Sequence, residues 1–328
     1  MTLSSRERLK RLYDQFNGND HVLIAINADP DAISSAMAVK RLLWRKVAEI
    51  TVAHVNVIKR PDNLVMVRLL GVPLVHMNTI DLHRYTRVIL VDSQPNHHQG
   101  FSNLEPVVII DHHPVTDAVA PYHDIRPNYG ATATILTEYL RAAKIRPSAK
   151  LATGLFYGIK TDTDNFQRQV LIEDLRAFQF LFRYTNPQLV RKIEYAEIRR
   201  DFLKYYRSAL DDIRIRKGRA IVHLGSVVSP DVCVLIADFF MRVDRVEYSI
   251  VSGVNAGVLV VIFRNDGLRK NAGMLAKQSF GRFGNAGGHK SMARAEISVS
   301  DLPPRLDATN DKLLLKWIIH QIESGASN

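Results

Sequence analysis

Several aspartates and histidines stand where apolar runs stop. In "IAINADPDAISSAM" at 24–37, Asp29 and Asp31 flank Pro30 directly after "VLIAI". "RVILV" at 87–91 runs into Asp92, and "VVII" at 107–110 into Asp111, His112 and His113. Asp162 and Asp164 follow the apolar segment "LATGLFYGI". Asp and Pro are common turn formers, and Asp is a preferred helix cap. That reading has force for Asp31, which directly precedes a helical segment. It has little for "IIDHH", because two histidines after a buried strand have no capping task. Carboxylates gathered at one place repel unless a cation sits among them, and few Lys or Arg lie nearby in sequence. Mixed Asp and His donors suit a divalent metal of the manganese or magnesium kind. Two such ions sharing a carboxylate would support phosphoryl transfer to water.

These residues need elements to bring them together. "HVLIAINA" (21–28), "EITVAHV" (49–55), "RVILVDS" (87–93) and "EPVVIIDHH" (105–113) are short apolar runs rich in Val and Ile. They alternate with helical patterns at "AISSAMAVKRLLWRK", "ATATILTEYLRAAK" and "PSAKLATGLFYGIKTDT", the last with Pro147 in a first-turn position. Strands buried on both faces and alternating with helices form a doubly wound, mainly parallel α/β sheet. Ligands of such sheets bind outside the carboxyl ends of the strands, where the aspartates stand. Domain one is thus expected over 1–187, a connecting helix over 188–215, and a smaller α/β domain over 216–328. The last carries strands at "AIVHLGSV" and "YSIVSG", a hairpin through "VNAG" into "GVLVVIFRN", a glycine-rich stretch, and a final amphipathic helix "NDKLLLKWIIHQI".

Composition limits the function classes. The 328 residues carry a net charge of +11, which favours an anionic partner such as nucleic acid, nucleotide or polyphosphate. No run reaches the roughly 18 apolar residues of a membrane span, and "MTLSSRERLKRLYDQF" lacks a signal-peptide core. A single cysteine, Cys233 in the apolar "VCVLIA", excludes an internal disulfide, suits a reducing cytoplasm, and reads as a buried inert thiol. Residues 263–295 hold Arg264, Arg269, Lys270, Lys277, Arg282, Lys290 and Arg294 against one acid, Asp266. Glycines there would let backbone N–H groups approach a phosphate, with a histidine beside them.

"IIDHHP" at 109–114 resembles the signature of the DHH phosphoesterase family. "NADPDAISSAMA", "VILVDS" and "GIKTDTDNF" resemble its first, second and fourth motifs. "NAGGHKSMARA" resembles the glycine-histidine motif of the DHH-associated C-terminal domain. The resemblance covers nearly the whole chain, in the family's order. It implies two manganese ions, with magnesium as the alternative: Asp29 on the first, Asp31 on the second, Asp92 bridging, and His112 and Asp162 completing the second. It further implies that His113 touches the scissile phosphate or moves a proton, that Asp111 supports the site from behind the metal ligands, and that Arg264, Lys277, Gly287, Gly288 and His289 hold the substrate.

Four positions depart from the family pattern. Ala25 stands where the first motif has a histidine, so the first metal loses its nitrogen ligand. Asp164 replaces a glycine in the fourth motif, Ala286 the first glycine of the C-terminal motif, and Arg294 its final one. His97 and His98 follow the second motif. Either His97, His98 or Asp164 substitutes for the lost ligand, or one metal is held tightly and the other weakly, or hydrolysis is lost. The resemblance therefore implies a stand-alone hydrolase of short oligoribonucleotides or small nucleotides, including bisphosphorylated adenosine and dinucleotides. The competing function is a nucleotide-binding regulatory protein. Tyr129 or Phe283 could stack a base, though core or rim packing accounts for both more simply. A homodimer is compatible with a chain of this size.

Overall fold

The computed structural model describes residues 3–58, 60–117, 119–168, 170–195, 198–268, 270–304 and 306–325. The chain divides into two compact units, Met1–Glu197 and Ile198–Asn328.

The first unit runs α1 (Ser5–Tyr13), β1 (His21–Ile26), α2 (Pro30–Leu42), β2 (Glu49–His54), α3 (Pro61–Leu70), β3 (Leu74–His76), β4 (Arg87–Val91), β5 (Val108–Asp111), β6 (Tyr122–Ile125), α4 (Thr132–Ala142), α5 (Ala149–Asp162), α6 (Ile172–Phe182) and α7 (Pro187–Glu194). Its six strands lie in the order β3-β2-β1-β4-β5-β6, all parallel. Successive side chains of a strand point to opposite faces. Ile24 and Ile26 accordingly join the helix-side core with Ile33, Leu136 and Leu155. Leu23 and Ala25 join a smaller cluster with Leu90, Met77, Phe101 and Leu104. Short 3-10 turns at 77–79 and 99–101 supply Met77 and Phe101 to that second face. The strand order reverses direction between β1 and β4, so the crevice of an open parallel sheet falls between their carboxyl ends. Asp29 and Asp92 follow those two strands.

The second unit runs α8 (Leu203–Asp212), β7 (Arg214–Arg216), β8 (Arg219–Ser226), α9 (Pro230–Phe240), β9 (Tyr248–Asn255), β10 (Val258–Asn265), α10 (Ala272–Phe280), β11 (Asn285–Gly288), β12 (Met292–Ser298) and α11 (Asp311–Gly325). Its sheet, β11-β12-β10-β9-β8-β7, is antiparallel except for the β8–β9 pair. One core lies under α8 and α9, the other under α10 and α11. The hairpin expected at "VNAG" joins β9 to β10, with Ala256 and Gly257 both at positive φ, as the tightest hairpin turns require.

Two local expectations need correction. Pro147 lies outside α5, whose N-cap is Ser148, accepting from Leu151 N–H. Segment 188–215 holds two helices, α7 and α8, with a 3-10 turn at 200–202 leading into α8, rather than one. The glycine-rich stretch, to which no element was assigned, forms a hairpin of β11 with β12. Cys233 is fully buried in α9, and burial pushes its thiol up to about 12. Among the described residues no helix is long and apolar enough to cross a membrane.

Candidate metal centre

Asp29 and Asp31 are both caps, of different helices. Asp29 is the N-cap of α2, its carboxylate accepting from Ala32 N–H at 2.9 Å. Asp31, fully buried one turn on, accepts from Thr132 N–H at 2.6 Å and Ala133 N–H at 2.8 Å. Those amides open α4, whose own N-cap is Ala131 and offers no side-chain cap. Asp31 thus satisfies two of the four amides that a helix start leaves unpaired, and the positive end of the helix faces its charge. The chain ahead of Asp29 is fixed by Asn56, whose side-chain amide accepts from Ala28 N–H at 2.7 Å and donates to Ala28 C=O at 2.9 Å.

Asp92 follows β4 with φ at +56°, a left-handed conformation that Asp tolerates better than most residues. Its carboxylate accepts from the Thr132 hydroxyl at 2.8 Å. His112 lies close by. Its Nδ1 is 3.1 Å from the Tyr129 carbonyl; a carbonyl only accepts, so Nδ1 carries the proton. Its Nε2 lies 3.2 Å from Asp162 Oδ2 and 3.6 Å from Asp92 Oδ1, buried and without an aligned hydrogen bond. Asp162 closes the group as the last residue of α5. One donor atom from each of Asp31, Asp92, His112 and Asp162 falls within 4.8 Å of the others. Asp92, His112 and His113 form an overlapping group, and His97, Asp111 and His113 a third.

The electrostatics of this arrangement suit a cation. Burial, then the neighbouring Asp31, raises Asp29 to about 6. Burial, then Asp162, does the same for Asp31. Asp92 is held well above the usual carboxylate range by burial and by Asp31, Asp29 and Asp162. Asp162 is raised by burial as well. Burial alone would lower His112, but contact with Asp162 and the Asp31 charge outweigh it and bring the imidazole to about 9. Four acids strained in this way, with a buried ring nitrogen aimed among them, fit a divalent cation: all are oxygen or imidazole donors, and the second nitrogen of His112 is anchored to a carbonyl as in metal-bound histidines.

Asp111 and His113 form a separate pair. Fully buried Asp111 accepts from His113 Nδ1 at 2.8 Å, Gln94 Nε2 at 2.6 Å and His112 N–H at 2.8 Å. Burial opposes its charge, but His113 and Gln94 outweigh burial and hold it below the usual range. His113 is raised, chiefly through that hydrogen bond. Its ring is half-exposed.

Ala25 is fully buried in β1, on the face shared with Leu23, Leu90 and Phe101. Of the three substitutes considered, His97 alone enters a donor group among the described residues, and its Nδ1 already accepts from Gln94 N–H. Asp164 has φ at +48° and His98 Nδ1 accepts from Gly100 N–H; neither joins a group. Thr132, Gln94 and Asn56 act here through hydrogen bonds to the site's carboxylates and backbone, and residue type alone gave them no role. The one available signal was Ala131 ahead of a helix: a start without its own cap needs one from elsewhere.

In the second unit, Gly287, Gly288 and His289 lie on and just after β11, beside the start of α10. Gly288 has φ at +146°, and a Cβ there would lie 2.5 Å from the Met292 carbonyl. The first amides of α10 are taken by backbone: Ala272 N–H donates to Lys290 C=O and Gly273 N–H to His289 C=O. Space beside Gly287 is open. Lys277 is exposed on α10, and Arg264 pairs with Asp238 at 2.7 Å. Arg269 lies outside the described residues. Phe283 packs on Trp317, and the Tyr129 hydroxyl donates to Glu138, so neither ring is a free platform.

Residues 21–159 match the family described as "DHH family, N-terminal domain". Over 301 residues the chain is 34% identical to an uncharacterized protein of Methanocaldococcus jannaschii, an alignment spanning 92% of this chain and 61% of that protein. An exopolyphosphatase-related protein of Bacteroides fragilis shares the fold, with a TM-score of 0.73 at 14% identity over 99% of each chain. Exonuclease RecJ bound to manganese shares it more loosely, with a TM-score of 0.51 at 13% identity, over 100% of this chain and 95% of that one. The likeness thus shown is of residues 21–159, within the N-terminal unit, to the DHH family's N-terminal domain.

Proposed function

We propose that this protein is a metal-dependent phosphoesterase acting on short oligoribonucleotides or small nucleotides. The observation that carries the reading is the convergence of Asp31, Asp92, His112 and Asp162, with His112 Nε2 facing Asp162 and Asp92 without an aligned hydrogen bond. These four residues would hold the tighter of two ions, with Asp29 and Asp92 holding the other. Manganese, the ion bound in the RecJ structure, is the first candidate and magnesium the second. Held by these residues, a divalent cation would supply charge stabilisation for the phosphoryl oxygens and activation of water at neutral pH. Asp111 would fix His113 by accepting from Nδ1, leaving Nε2 as the nitrogen that would pass a proton to or from the reacting phosphate. Thr132 orients Asp92 through its hydroxyl and Asp31 through its amide. Arg264, Lys277, Gly287, Gly288 and His289 supply contacts to the anionic substrate, in keeping with the net charge of +11.

A second reading, a nucleotide-binding protein without turnover, draws on Ala25, which removes a nitrogen donor and is packed into apolar core. One assay separates the two: hydrolysis of a diribonucleotide and of bisphosphorylated adenosine with manganese and with EDTA. Manganese-dependent product that Asp92→Ala abolishes supports the enzyme. Tight binding with no product supports the second reading.

A further inference from the structure

The first unit contains a second charged site, apart from the carboxylates. A groove of about 870 Å³ is lined by the start of α1 (Leu3, Ser4, Ser5), by α4 and by α6, and five arginines open onto it. They are Arg6, Arg8, Arg126, Arg141 and Arg176, against Glu138 and Glu173. Those two acids, and Asp124 beneath them, are already neutralised. Asp124 accepts from Arg8 and from Arg126, the latter at 2.7 Å; Glu138 accepts from Arg126 at 2.7 Å; Glu173 lies 4.0 Å from Arg176. Arg141 lies over the Phe180 ring, and neither it nor Arg6 has a carboxylate partner among the described residues. The groove therefore carries positive charge that the fold does not use.

We propose that this groove binds the phosphate groups of a nucleotide or short single strand, at a site separate from the carboxylate centre. Its volume suits a ligand of one or two nucleotides. Guanidinium forks match phosphate oxygens in paired hydrogen bonds, and the N-terminal end of α1 adds favourable field. Tyr129 lines the groove, and its carbonyl faces His112 Nδ1, so the two sites adjoin at this residue. The proposal does not depend on catalysis at the carboxylates, and its test runs without metal.

The test is binding of a 5′-phosphorylated, 3′-fluorescein tetrathymidylate to the full chain in EDTA, across a salt series. The expected result is measurable binding that Asp92→Ala leaves intact and that Arg6→Ala with Arg141→Ala weakens at least tenfold. The slope of log affinity against log salt falls by roughly 0.7 for each arginine removed. Both side chains are exposed, and Arg6→Lys with Arg141→Lys restores part of the affinity. Competition by pyrophosphate at equal potency identifies a small nucleotide as the ligand; competition by the unlabelled strand alone identifies a strand. Unchanged affinity in the double alanine variant overturns the proposal, as does loss confined to Arg264→Ala with Lys277→Ala. Competition by polyglutamate equal to that by pyrophosphate overturns it too.

Discussion

Replacing Asp92 by asparagine should reverse the order of stability of the two proteins according to whether metal is present. Asparagine keeps the shape of the side chain, and its oxygen still accepts from the Thr132 hydroxyl, now 2.8 Å away. It removes a buried charge that faces Asp29, Asp31 and Asp162. Two like charges about 5 Å apart at an effective dielectric of about 20 repel by roughly 3 kcal/mol. With His112 offsetting part of this, the net relief is about 1–3 kcal/mol. For a unit of 197 residues, 1 kcal/mol moves Tm by roughly 2–4 °C, so Asp92→Asn in EDTA should melt roughly 3–10 °C above the parent. Manganese at a hundred times its Kd should stabilise the parent by about 2.7 kcal/mol, or roughly 5–11 °C, and the variant hardly at all. Scanning calorimetry of both proteins, with EDTA and with manganese, reads all four values from the first unit's transition. If Asp92→Asn melts below the parent in EDTA, or manganese raises both equally, the reasoning about a charge-strained metal centre is wrong.

Three further substitutions probe the supports of the centre. Asn56→Ala removes both bonds to Ala28 and should lower turnover roughly tenfold while costing about 1–2 kcal/mol in stability, read by steady-state kinetics and thermal melting. Gln94→Leu leaves buried Asp111 short of a donor and takes the acceptor from Thr116 N–H and its hydroxyl; a loss of about 1–3 kcal/mol in urea unfolding is expected. Ala25→His, which restores the family's residue, should destabilise by roughly 2–4 kcal/mol, because an imidazole enters the packed cluster with Leu90 and Phe101. Calorimetric titration of that variant with manganese should show no gain in affinity; a tenfold gain would mean that the cluster opens to let the ring reach the metal.

The parallel sheet was legible because its strands are buried on both faces and read as continuous Val and Ile runs. The acids of the site were legible because they stand at the ends of those runs. Neither β3, three residues long, nor β6 was legible: "YHDI" is broken by His123 and Asp124, and the latter is buried with Arg8, Arg126 and the Tyr139 hydroxyl on its carboxylate. Helix α9 was hidden for the opposite reason. Its run "VCVLIA" has no polar residue to mark a helical period, although Val232, Cys233, Ile236 and Ala237 form the buried face and Val234 and Leu235 are only half-buried. Asp31 shows the limit most clearly. Local sequence suggested a cap for the helix that follows it, whereas its carboxylate caps α4, about a hundred residues away, and that pairing exists only once the sheet has formed. The correct choice between cap and ligand was to allow both, since one carboxylate oxygen can accept an amide and still face the cluster.

The most direct test of the account is anomalous scattering from crystals grown with manganese. The account predicts a manganese peak bounded by Asp31, Asp92, His112 and Asp162, with any second, weaker peak next to Asp29 and Asp92. A protein that hydrolyses its substrate with manganese while its crystals show no peak among those four residues would contradict it.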